Sequence, residues 1–114
     1  MKYGAKKDAN HHELMGVLRA LVPVMDLSAV GFGVPDGIAR INGNIELFDI
    51  KNPKTGYGRR GLNAVQQKWV RAWQGSAVYL LYTVDDAVNF ATGKFDLVKK
   101  VDSGWLEARE LAGR

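Results

Sequence analysis

The sequence predicts a single α/β domain with a mixed sheet, built in the order α-β-β-β-α-β-α. Three observations carry this expectation. Asn42-Gly43 sits between two strand-like stretches and is the strongest short signal for a β-hairpin. Two other segments repeat apolar residues every three or four positions, the period of a helix with one buried face. After the second of these comes a continuous apolar run, SAVYLLYTV, which reads as a buried strand reached through a helical crossover. Such a strand must run parallel to one already in the sheet.

Taken in order, residues 1–7 read as a flexible basic arm. A helix starts at Asp8, with Leu14, Val17, Leu18 and Leu21 on one face, and Pro23 ends it. Residues 24–32, rich in β-branched and small side chains, form the first expected strand, broken by Gly31, Gly33 and Pro35. GIARI (37–41) and NIELFDIK (44–51) are the hairpin strands. Residues 52–61 form a loop. Residues 62–75 return to the helical period, with Leu62, Val65, Trp69 and Ala72 or Trp73 facing one way and Gly75 as C-terminal cap. Residues 76–84 make the central strand and 85–92 a short capped helix. The tail is read as an extension (93–114) with a last helix near 104–113. The whole of 1–114 is one domain.

The composition narrows the function classes. There is no cysteine, which removes disulfides, thiolate metal sites and a cysteine nucleophile together. No apolar run approaches the ~20 residues that cross a bilayer, and the polar start lacks a signal-peptide core. A soluble cytoplasmic protein, with no membrane partner, is expected. The formal net charge is +4. It is concentrated at Lys2, Lys6 and Lys7 and again at Lys51, Lys54, Arg59 and Arg60, which suits a nucleic-acid partner.

The hairpin holds an anomaly, because Asp36, Asp49 and Lys51 are charges where a core is expected. A two-residue type I′ turn at Asn42-Gly43 pairs Ile41 with Asn44 and Gly37 with Phe48, so the next rung sets Asp36 opposite Asp49. Directly opposed residues share a face, with Cβ atoms ~4.5–5.5 Å apart. Lys51, two residues on, shares that face, whereas Glu46 points away. The two carboxylates repel unless one holds a proton or a divalent cation sits between them. Oxygen ligands with room for water and phosphate oxygens suit Mg²⁺. The plainer alternative is a Lys51–Asp salt bridge at a strand end.

Pro35-Asp36 followed by Asp49-Ile50-Lys51 has the form PD…(D/E)xK. The chain resembles the VRR-NUC family of the PD-(D/E)xK nuclease superfamily, the stand-alone, virus-type replication and repair nucleases. The resemblance covers roughly residues 8–92. It includes the early acidic helix DANHHELMGVLRAL with Glu13, the entry Gly33-Val34-Pro35-Asp36, the acid-x-Lys strand, the basic loop and a helix with Gln66 before an aromatic. The family more often has Glu at the position of Asp49; aspartate occurs in the wider superfamily.

The resemblance implies a resolvase-like fold and Mg²⁺- or Mn²⁺-dependent hydrolysis of DNA. Asp36, Asp49, Glu13 and the carbonyl of Ile50 would bind metal, Lys51 would orient the attacking water, and Gln66 would support the site. Lys54, Arg59 and Arg60, with Lys6 and Lys7 on the arm, would contact branched or duplex DNA. Some relatives act as homodimers on four-way junctions, and a bacterial or phage-type protein is expected. A non-catalytic DNA- or protein-binding module on the same fold is the alternative.

Other features have simpler readings. Asn10-x-x-Glu13 fits a capping box, which conflicts with a metal role for Glu13. His11 and His12 diverge by ~100° on a helix, so they do not share an ion and are expected exposed or near DNA. Gly31-x-Gly33 fails as a dinucleotide fingerprint, since Asp36 takes the third glycine position and a strand follows. Trp69 and Trp73, with Trp105, are read as core or an apolar dimer surface.

Overall fold

The computed structural model describes residues 9–113. The expected arm, with Lys6 and Lys7, lies outside the described residues. Helix α1 spans Ala9–Leu21, and strands β1 (Val24–Asp26), β2 (Gly37–Ile41) and β3 (Asn44–Ile50) follow. A four-residue helix α2 (Gly56–Arg59) precedes α3 (Ala64–Ala72), β4 (Ala77–Leu81) and α4 (Val84–Ala91). A 3₁₀ turn at Phe95–Leu97 leads to β5 (Lys99–Asp102) and α5 (Ser103–Ala112). The five strands form one sheet in sequence order. β3 and β4 are parallel and the other neighbours antiparallel, so the sheet is mixed and the crossover strand is parallel as expected.

The hairpin has the expected register, from Ile41 opposite Asn44 to Gly37 opposite Phe48. Asn42 and Gly43 both take positive φ, 52° and 83°, as a type I′ turn requires. Alternation then sorts the strands onto two faces. Phe48, Ile50, Tyr79 and Leu81 pack with Leu14, Leu18 and Phe90 under α1 and α4. Val78, Leu80 and Val101 pack with Leu62, Val70 and Leu106 under α3 and α5. Burial on both faces explains why β4 reads as an unbroken apolar run.

Three expectations are corrected. The first strand ends at Asp26 rather than running to 32, because the Asp26 carboxylate accepts from the Ser28 N–H at 2.8 Å and its hydroxyl at 2.6 Å, turning the chain. The loop 52–61 contains α2, capped by the Thr55 hydroxyl, which accepts from the Gly58 N–H at 2.9 Å. On α3, Val70 is the buried residue, while Val65 and Trp73 are exposed; Trp73 stacks on Trp69 at 5.2 Å. β5 was not expected at all.

The loop after β3 presses closely on itself. A Cβ at Gly58 would collide with the Asn52 carbonyl oxygen. Gly58→Ala is therefore expected to destabilise the protein by about 1–3 kcal/mol, read as a lower urea midpoint.

Candidate active site

Asp36 enters the sheet one residue before β2, and Asp49 and Lys51 lie at the end of β3, on the face that α3 covers. The approach of Asp36 depends on Gly33, whose φ is +81° and where a Cβ would stand 2.5 Å from the Val65 carbonyl oxygen. Only glycine lets this entry loop lie against α3.

The two acids cross over. The Asp36 N–H donates to Asp49 Oδ1 at 3.1 Å, and the Ile50 N–H donates to Asp36 Oδ2 at 2.8 Å. Each carboxyl thus serves as the missing ladder partner of the other strand. Lys51 Nζ lies 2.9 Å from Asp49 Oδ2, with Asp49 only 1% and Lys51 8% exposed. Gln66 ties the group together. Its Oε1 accepts from Lys51 Nζ at 2.9 Å, and its Nε2 donates to both Asp49 oxygens at 3.3 Å. The same Oε1 accepts from the Asn63 N–H at 3.0 Å, so the residue that caps α3 also aims at the acid–lysine pair. From α1, Asn10 Nδ2 donates to the Lys51 carbonyl at 2.7 Å.

Burial pushes the Asp49 carboxyl up to about 6, the nearby Asp36 charge adds to this, and Lys51 pulls against both. Asp36 is also raised, first by burial, against the lowering effects of the Ile50 N–H and Lys51. Two acids and one ammonium leave the cluster with surplus negative charge once both acids ionise.

Asp36, Asp49, Lys51 and Gln66 are thus brought together, with Ile50 between the two β3 charges. Glu13 is not part of this group. It is exposed on α1, which packs on the opposite face, and no cluster of three His, Asp or Glu side chains able to hold a metal exists among the described residues. Asn10 lies inside α1 and spends its amide on the carbonyls of Lys51 and Tyr82, just past β3 and β4, rather than on a capping box. His11 is buried rather than exposed, with Nε2 3.9 Å from Asp26 Oδ2, while His12 is exposed. Lys54, Arg59 and Arg60 are exposed on the loop after β3. Sequence reasoning missed Tyr82, whose Oη is buried without a hydrogen-bond partner among the described residues and whose pKa is raised by burial, then Asp86, then Asp49. Its signal was hidden inside an apolar strand run.

The donor set fits a hard divalent cation: two carboxyls meet across one hairpin, and their mutual repulsion would be relieved by a positive charge between them. The raised Asp49 pKa has a testable consequence. Between the unfolded carboxyl range near 4 and about 6, the native state binds more protons than the unfolded chain, so this group's contribution to stability falls as pH rises through that window. Millimolar Mg²⁺ is expected to raise the melting temperature above that window and to have little effect below it, where the acids hold protons. Thermal melts with Mg²⁺ or EDTA across this pH range check it.

Comparisons with protein-family models, with curated proteins and with solved structures returned no match.

Proposed function

We propose that this α/β protein is a Mg²⁺- or Mn²⁺-dependent deoxyribonuclease with a resolvase-like nuclease core, acting as a homodimer on branched or duplex DNA. One observation carries the reading: two carboxyls face each other across the hairpin, with a buried ammonium 2.9 Å from one of them. The resemblance of Pro35-Asp36…Asp49-Ile50-Lys51 to the PD-(D/E)xK signature supports it.

Asp36 and Asp49, with the Ile50 carbonyl, would hold the cation. When bound, the cation lowers the pKa of a coordinated water and neutralises charge at the scissile phosphate. Lys51 has three N–H donors. Asp49 and Gln66 take two, and the third is assigned to the attacking water or a phosphate oxygen. Gln66 fixes the rotamer of Lys51 and the plane of the Asp49 carboxyl together, which positions both before substrate arrives. Lys54, Arg59 and Arg60 follow β3 directly and supply charge for the flanking phosphates. Glu13 is not needed in this scheme.

The test is a panel of linear, nicked, flapped and four-way DNA incubated with Mg²⁺ or Mn²⁺, with EDTA controls, beside a mass measurement in solution. Metal-dependent cleavage of any member is the expected result. DNA binding without cleavage on the whole panel would favour the non-catalytic binding module instead, and a monomeric mass would remove the homodimer.

A further inference from the structure

The first turn of α3 carries two glutamines that look in different directions. Gln66 reaches the acid–lysine pair, whereas Gln67 borders a cleft of about 330 Å³ on the far side, near β5 and α5. Arg59, Arg60, Lys99 and Arg109 line this cleft, together with Trp105, and no acidic side chain among the described residues does. A neighbouring hollow shares Arg60 and Arg109 and adds Tyr57. The guanidinium of Arg109 lies 5.2 Å from the Trp105 ring centre, and that of Arg60 lies 5.8 Å from the Tyr57 ring centre. On α5, Glu110 pairs with Arg71 at 3.8 Å, away from this lining. Lys99, Trp105 and Arg109 all lie in the tail, outside the segment that resembles a nuclease.

We infer that this cleft is a binding site for an unpaired nucleic-acid strand. Four cations without an acid among them attract phosphates. Half-exposed rings backed by guanidinium groups offer stacking platforms to bases, and bases present their faces only where they are unpaired. Duplex DNA keeps those faces inside its stack and engages such a cleft only through its backbone. The inference shares its ligand class with the proposed nuclease. It shares Arg59 and Arg60 with the proposed nuclease but uses neither metal nor acid pair, and its test falls on Lys99 and Arg109, so the two readings can fail separately.

The test measures anisotropy of a labelled oligothymidylate of about a dozen residues, in EDTA so that no cleavage occurs, with the full-length chain. Lys99→Glu and Arg109→Glu are each expected to weaken binding by roughly tenfold with unchanged melting temperature, and Trp105 fluorescence to be quenched on binding. Lys94→Glu makes the same change in net charge from the α4–β5 turn and is expected to weaken binding far less. The inference is overturned by cleft variants that bind as tightly as the parent, by a Lys94→Glu loss as large as theirs, or by a matched duplex that binds as tightly as the single strand. Thymidine monophosphate or inorganic phosphate competing as well as the oligonucleotide would also overturn it, by reducing the cleft to a site for a free anion.

Discussion

Asp36→Asn is expected to abolish metal-dependent cleavage and, in the same protein, to raise stability at neutral pH. The amide is isosteric, so its oxygen can still accept from the Ile50 N–H now bonded to Asp36 Oδ2 at 2.8 Å. What changes is the charge. In the parent, the Asp36 charge is one of the causes that raise the Asp49 carboxyl to about 6. With asparagine that repulsion is gone, Asp49 ionises opposite Lys51 alone, and the amide N–H₂ gains an acceptor. A stabilisation of about 1 kcal/mol is expected above pH ~6, shrinking at lower pH where Asp49 of the parent holds a proton. The catalytic effect runs the other way. A neutral amide contributes much less to holding a divalent cation, so cleavage is expected to fall by more than about 10³-fold, or ~4 kcal/mol of transition-state stabilisation. Urea denaturation and a single-turnover cleavage assay on one preparation read both quantities. A variant that cuts at the parent rate would remove Asp36 from the site; one that is less stable would mean the two acids do not repel.

Two like charges set opposite each other are what made the hairpin legible as a candidate site. Asn42-Gly43 determines the register from local turn chemistry alone, and register decides which charges share a face. Asp36, Asp49 and Lys51 were therefore predictable from a few adjacent residues. The fold order through β4, the four-residue α2 apart, was legible for a related reason, since each of those elements carries its own period. β5 was not. Lys99-Lys100-Val101-Asp102 has one buried side chain and pairs through its backbone with β4, as edge strands protected by charge do. A pattern search has nothing there to detect.

Side chains with two tasks were legible only in part. Gln66 was expected near the site only through the resemblance; its capping box with Asn63 was not read from the sequence, and the meeting of its amide with Lys51 and Asp49 depends on how α3 docks on the sheet. Glu13 shows the converse. Its place on an amphipathic helix was predictable, yet which rim of the sheet that helix presents it to depends on long-range packing. Asp26 ended a strand by accepting from the Ser28 N–H, a local competition that β-propensity does not count.

Lys51→Met is the substitution expected to cost the most stability. Asp49 is 1% exposed, and Lys51 Nζ is the only cation for which an ion pair with it is seen among the described residues. Methionine matches the length of the stem and keeps the packing, so the loss isolates the charge. At neutral pH the uncompensated carboxylate is expected to cost about 3–5 kcal/mol. Without Lys51 to pull it down, the Asp49 carboxyl rises above the parent's value of about 6 and escapes part of this cost by taking a proton, so the deficit must shrink as pH falls toward about 6, a direction opposite to ordinary acid denaturation. Asp49→Asn alone leaves the ammonium buried with Gln66 Oε1 and is expected to be destabilising too. Combining the two should recover most of the loss, because a neutral pair of similar shape leaves neither charge unmatched. Urea midpoints of the parent, both single variants and the double variant, taken on either side of pH 6, close the cycle. Additive losses would mean that Lys51 and Asp49 do not act as a pair. A full recovery of stability in a double variant that cuts no DNA would show that the buried charges are kept for chemistry and not for the fold.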